Sequence, residues 1–279
     1  MAGLGVYQVP PGPPSEEAAA CALETGYRLI DTAKYYGNEA DVGKAIARSG
    51  VPRSDVFVTT KLWNDDHGYD AALRAFDKSL TELGLEYLDL YLIHWPVSDA
   101  SAKQWGRVRK TLRQIVSKTQ TLRLDTWSAM EQILASGRCR AIGVSNYTVR
   151  HLRQLLESCK VVPAVNQVEF TPFCYQKELL KFCKDQGLQL QAYSPLARGE
   201  RLQHPVLVST AKKHQRTVPQ IMLRWALQHH VAVIPKAAQP AHIRENFQIF
   251  DFSLPEEDMV RLDGLNEDLH LCWDPTNAP

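Results

Sequence analysis

Eight short apolar or β-branched runs punctuate the chain: GLGVYQV, YRLIDT, VFVTTK, YLDLYLIH, CRAIGVSN, AVNQVEF, LQLQAYS and VAVIP. At least one stretch with helical spacing separates each run from the next. Strict alternation of strand and helix predicts a parallel sheet, and runs as apolar as LDLYLI predict strands covered on both faces. Eight such units in 279 residues match one (β/α)8 TIM barrel, whose usual size is about 250 residues. The chain therefore reads as a single α/β domain over 1–279. Typical intervening helices are Ser15 to Thr25, closed by Gly26, and Asp70 to Leu83, closed by Gly84. An open dinucleotide-binding sheet would carry G-x-G-x-x-G after a strand, whereas here Gly3 and Gly5 are followed by Val6, Tyr7 and Gln8. Phosphate-loop, H-E-x-x-H and G-x-S-x-G patterns do not occur.

Composition narrows the function classes. Hydrophobic residues make up 44% of the chain and the net charge is +1, so a large core is available and no global field draws the protein to nucleic acid or a membrane. Six cysteines (Cys21, Cys139, Cys159, Cys174, Cys183, Cys272) lie scattered without a C-x-x-C pair, which argues against a zinc ribbon or a disulfide framework and suits a reducing compartment, and with no charged and apolar leader or long apolar run the expected address is cytoplasmic.

In a barrel of this kind, chemistry is built at the C-terminal ends of the strands. The residues at those ends are Tyr7, Asp31, Lys61, His94, Asn146, Gln167, Tyr193 and Lys236. Several have a plain alternative taken singly: Asp31 as a helix cap, Lys61 as a solvent-reaching lysine, His94 as a satisfied core histidine and Gln167 as a buried amide, with Tyr35 and Tyr36 beside them as turn aromatics. Eight polar residues converging on one barrel mouth is harder to explain that way. A phenol is a poor proton donor at neutral pH unless a cation lowers its pKa. Lys61 beside Tyr36 would supply that cation, Asp31 would keep Lys61 charged, and His94 would offer a hydrogen bond to the same small volume.

DTAKYYGNE at 31–39, TTKLW at 59–63, LIHWP at 92–96, GVSNY at 143–147, NQVE at 166–169, AYSPL at 192–196 and IPK followed by EN, within 234–246, resemble the aldo-keto reductases in order and spacing. The resemblance implies a monomeric barrel that binds an extended nicotinamide cofactor, usually NADPH, and reduces carbonyls without metal or flavin. It places the catalytic tetrad on Asp31, Tyr36, Lys61 and His94, with Tyr36 rather than Tyr35 as proton donor. It places the nicotinamide carboxamide against Ser145, Asn146 and Gln167, the ring against Tyr193, and the rest of the cofactor along Ser194, Leu196, Lys236, His242, Glu245 and Asn246. Tyr7, Trp63 and Trp95 would wall the pocket for an apolar aldehyde or ketone. Two other classes use similar parts. A Schiff-base aldolase needs a strand-end lysine as free amine, which an adjacent Asp31 disfavours. A non-catalytic NADPH-binding protein on the same barrel would tolerate loss of the tetrad, which is complete here.

The chain also departs from the family pattern. Met1 stands two residues ahead of GLGVYQV, so the hairpin that usually plugs the barrel floor is expected to be missing, and the chain after Trp273 is too short for a long substrate loop. Residues 98–124, with seven Lys or Arg against one Asp, read as a basic insertion between the fourth strand and its helix, with Trp105, Val108, Leu112 and Ile115 at helical spacing. The family's usual grip on the 2′-phosphate keeps only Lys236. Ala237 and His242 stand where a hydroxyl and an arginine are expected, which predicts a narrowed preference for NADPH over NADH.

Overall fold

The structure is a computed structural model that describes residues 1–98 and 112–278. Eight strands form one sheet in sequential order: β1 (Leu4–Gly5), β2 (Leu29–Asp31), β3 (Phe57–Leu62), β4 (Leu90–Ile93), β5 (Ile142–Ser145), β6 (Val165–Glu169), β7 (Gln189–Tyr193) and β8 (Ala232–Ile234). Every neighbouring pair is parallel. The sheet closes on itself because the amides of Gly3 and Gly5 donate to the carbonyls of Val233 (2.8 Å) and Pro235 (3.1 Å), while the Val233 amide donates to Met1 (3.1 Å). Gly5 permits this seam: a Cβ there would sit 2.9 Å from the Ile234 carbonyl oxygen.

Between the strands lie α1 (Pro13–Thr25), α2 (Glu39–Arg48), α3 (Tyr69–Leu83), α4 (Leu112–Ala135), α5 (Val149–Leu156), α6 (Lys177–Asp185), α7 (Pro205–His214) and α8 (Val218–Gln228), followed by α9 (Pro240–Phe247) and α10 (Glu256–Asp263). Local chemistry sets their ends. Gly26 and Gly84 take the left-handed conformation that stops α1 and α3, and Thr148 and Thr217 open α5 and α8 with capping boxes. Gly43 lets α2 lie against the end of α3, since a Cβ there would meet the Leu83 carbonyl oxygen at 2.0 Å. The shell between barrel and helices is filled by Tyr27, Phe76, Tyr91, Trp127, Phe170 and Trp225, all buried.

Two expectations are corrected. GLGVYQV supplies only two strand residues, because the Val9 amide turns back to the Val6 carbonyl and Gln8 adopts a φ of 60°. The basic segment 98–124 is not wholly an insertion ahead of the helix, since 112–124 forms the first half of α4, with Arg123 buried and donating to Gln154 at 3.1 Å. The remainder of that reading, including Trp105 and Val108, lies outside the described residues. No helix among the described residues is long and apolar enough to cross a membrane.

Candidate active site

β2 ends on Asp31, and the chain then passes through Thr32 and Ala33 into a single 3-10 turn, Lys34–Tyr36, closed by Gly37 at φ 70°. The turn swings Tyr36 back over the strand end. Lys61, on the adjacent strand β3, points into the barrel with its side chain fully buried, and its ammonium lies 2.5 Å from Asp31 Oδ1. The same Nζ donates to the Thr32 carbonyl at 2.8 Å and to the Tyr36 hydroxyl at 3.3 Å. Asp31 is completed by Gln167, whose Nε2 donates to Oδ2 at 2.7 Å and also to Gln191 Oε1 at 2.7 Å. A carboxylate and an ammonium are thus removed from water together, each with further polar contacts, the condition under which a buried pair is tolerated.

A second set of contacts holds the opposite wall. Asn146, at φ 64°, donates through Nδ2 to the His94 carbonyl (2.9 Å) and to Ser145 Oγ (3.1 Å), and its Oδ1 accepts from the Tyr193 hydroxyl at 2.8 Å. Ser145 Oγ in turn donates to the Gln167 carbonyl at 2.8 Å. The His94 ring stands edge-on to Tyr36, with centroids 5.7 Å apart, and its Nδ1 is buried without a hydrogen-bond partner.

A cavity of about 520 Å³ lies at the C-terminal end of the barrel. Asp31, Tyr36, His94, Asn146, Gln167, Tyr193, Ser194 and Lys236 line it, together with Tyr7, Trp63 and Trp95. Lys61, Ser145, Leu196, His242, Glu245 and Asn246 do not, Lys61 being buried beneath Asp31 and Tyr36. Ser145 is buried behind Asn146, while exposed His242, half-buried Glu245 and buried Asn246 lie on α9, with Glu245 accepting from Thr217 Oγ1 at 2.9 Å. Sequence reasoning missed Arg198, Leu271, Cys272 and Trp273, which also line the cavity, and cast Tyr35 as a turn aromatic although it stacks face to face on Trp63 at 3.8 Å. The C-terminal segment reaches the mouth because the Glu169 carboxylate, at the end of β6, accepts from the amides of Leu271 (3.0 Å) and Cys272 (3.1 Å). Trp273 then packs on Trp95, centroids 5.1 Å apart. A tryptophan so near the end of the sequence was the one legible sign of that contact.

Burial sets the electrostatics. Desolvation, then the Asp31 charge, holds the Tyr36 hydroxyl well above the ordinary phenol range, against the direction expected from the Lys61 cation alone. Desolvation and the Lys61 charge push His94 well below the usual imidazole range, leaving a neutral ring. Burial lowers Lys61 and raises Asp31, and their mutual attraction opposes both shifts. At 2.5 Å, with Gln167 and Thr32 adding hydrogen bonds, the ion pair prevails.

The donor set suits a nicotinamide cofactor. Gln167 and Asn146 bring amide groups, and Tyr193 an aromatic ring, to one wall of the cavity, while Lys236 supplies a cation at its edge. Comparison with known proteins agrees with this reading. The chain is 47% identical over 273 residues to glyoxal reductase of Bacillus subtilis (98% of this chain, 91% of the relative). It is 44% identical over 278 residues to 9,11-endoperoxide prostaglandin H2 reductase of Trypanosoma cruzi (99% and 90%). An aldo-keto reductase from a Medee basin deep-sea metagenome superposes with a TM-score of 0.88 at 40% identity, covering 100% of this chain and 95% of that one. A mutant of Gox0644 in complex with NADPH superposes at 0.86 and 36% identity, with 100% and 94% covered. The model of the aldo/keto reductase family matches residues 4–267, and the chain belongs to that family of oxidoreductases.

Proposed function

We propose that this protein reduces aldehydes and ketones to alcohols with NADPH, using Tyr36 as the proton donor. The observation that carries the proposal is the Tyr36 hydroxyl held 3.3 Å from the buried Lys61 ammonium, at the floor of an aromatic-walled cavity. Asn146, Gln167 and Tyr193 would hold a nicotinamide, which when bound would supply the hydride. Tyr36 and the neutral His94 both face the cavity, so a carbonyl oxygen seated between them is polarised by hydrogen bonds before it is protonated. The high resting pKa of Tyr36 keeps the proton in place until negative charge develops on that oxygen, and Lys61 then stabilises the phenolate left behind. Asp31 keeps Lys61 charged and oriented. Trp63, Trp95, Tyr7 and Trp273 exclude water and favour apolar or small dicarbonyl substrates. We place this activity in a cytoplasmic monomer.

Similarity to a glyoxal reductase and to a structure in complex with NADPH supports this reading. The test is NADPH oxidation by the purified chain against glyoxal, methylglyoxal and aromatic aldehydes. Turnover of at least one class is expected, and no oxidation with any of them contradicts the proposal.

Cofactor discrimination rests on Lys236 and His242. Losing charge-assisted bonds worth roughly 1.5 to 3 kcal/mol narrows the NADPH preference by about tenfold or more. His242→Arg should tighten NADPH binding and leave NADH binding unchanged. Titrations of the starting protein and the variant with each cofactor check it.

A further inference from the structure

Cys174, Asp268 and His270 each bring one ligand atom within 4.8 Å of the other two, and no other group of three His, Cys, Asp or Glu among the described residues does so. They come from separate parts of the chain. Cys174 sits in the turn after β6, where its amide and carbonyl pair with Thr171, and Asp268 and His270 lie on the C-terminal strap, whose Glu267 and Leu269 amides both donate to the Phe173 carbonyl at 3.0 Å. Cys174 Sγ lies 3.8 Å from His270 Nδ1 and 3.9 Å from Nε2, and His270 Nε2 lies 3.4 Å from Asp268 Oδ1. In a tetrahedral zinc site, bonds of about 2.3 Å to sulfur and 2.0 to 2.1 Å to nitrogen put those two atoms ~3.6 Å apart, close to the spacing observed; because Sγ is nearly equidistant from both ring nitrogens, the His270 ring must turn to aim one nitrogen lone pair at a shared ion. The Glu169 carboxylate, 4.0 Å from His270 Nδ1, fixes the strap through the Leu271 and Cys272 amides.

We infer that Cys174, His270 and Asp268 form a binding site for a borderline-soft divalent cation such as zinc, clamping the C-terminal strap beside the barrel mouth. Thiolate, imidazole and carboxylate together select zinc, cobalt or cadmium over magnesium or calcium, and three protein ligands leave a fourth position for water. Cys174 is fully buried and Asp268 exposed, so the ion enters from the Asp268 side and closes over the cysteine. Binding replaces the S–H bond of Cys174 with a metal–sulfur bond and releases one proton to solvent. The next residues on the strap, Leu271 to Trp273, line the candidate active site, so an ion here stiffens one wall of the pocket without touching the tetrad. Linear cysteine spacing argued only against a zinc ribbon and carries no information about residues 94 and 96 positions after Cys174.

The experiment is titration of the metal-free chain with Co²⁺, followed through the thiolate-to-cobalt charge-transfer band and the visible d–d bands, with Zn²⁺ displacement to obtain its affinity. One equivalent of tetrahedral thiolate-bound cobalt is expected. His270→Ala, at a half-buried strap position, should weaken it by about a hundredfold or more, with the unfolding midpoint measured alongside to confirm that the variant is folded. Cys174→Ser should abolish the charge-transfer band, and Cys272→Ser should leave it unchanged. Absence of the band in the starting protein, its persistence in His270→Ala, or its loss in Cys272→Ser would overturn the assignment.

Discussion

The two ends of the barrel are made from the same eight strands and are opposite in chemistry. At the N-terminal end a cavity of about 420 Å³ is bounded by Leu29, Phe57, Leu90, Val165 and Ala232, with Gln189, Gln191 and His230 as its few polar neighbours. At the C-terminal end the same strands carry Asp31, Lys61, His94, Asn146 and Gln167, all buried and most of them wired to one another. Transfer from water stabilises the first end and costs the second, so the mouth holds groups that a packing argument alone would not select. Stability is concentrated at the floor and chemistry at the mouth.

The strongest way to break that division is to remove the buried ion pair. Asp31→Asn with Lys61→Met keeps volume and discards both charges; turnover is expected to fall by about a thousandfold or more, while the unfolding midpoint stays level or rises. A fall in stability of several kcal/mol in denaturant titrations would show that the pair holds the fold. Leu90→Ala probes the other end, because Leu90 is fully buried against the floor cavity. It should cost about 2 to 5 kcal/mol of stability and leave kcat/KM of the folded enzyme unchanged, as read by parallel unfolding and activity assays.

A smaller effect separates the ends by pH. His67, in the loop after β3 at the mouth, is pushed down to about 4 by desolvation and the Arg123 charge. Its folded pKa is below its unfolded value near 6.5, so the unfolded chain takes up the proton first. Its contribution is complete above about pH 6.5 and is lost as pH falls towards 4, roughly 2 kcal/mol by pH 5. Chemical denaturation at pH 7 and 5 should show that loss, and His67→Gln should flatten it. An unchanged slope in the variant would assign the acid sensitivity to other groups.

Much of the mouth was legible because parallel barrels put their strand ends in one place: Asp31, Lys61, His94 and Asn146 could be brought together from apolar runs alone. What could not be read depends on contacts distant in sequence. Gln191 joins the Asp31 network through Gln167, and Glu169 recruits a strap more than a hundred residues away. The direction of the Tyr36 shift was misjudged because adjacency to a cation is visible in a motif and desolvation is not. The first strand was overestimated for a local reason, since Gln8 turns with a positive φ that nothing in GLGVYQV announces.

The most direct measurement compares two neighbouring phenols. Tyr36 reaches Lys61, whereas Tyr35 is exposed and stacks on Trp63. Steady-state turnover of an aldehyde substrate and NADPH binding would be measured for Tyr36→Phe and Tyr35→Phe side by side. The expected result is a loss of several orders of magnitude in kcat for Tyr36→Phe with NADPH affinity within about twofold, and a change below about tenfold for Tyr35→Phe. Equal losses in the two variants, or turnover surviving in Tyr36→Phe, would contradict the assignment of Tyr36 as the proton donor.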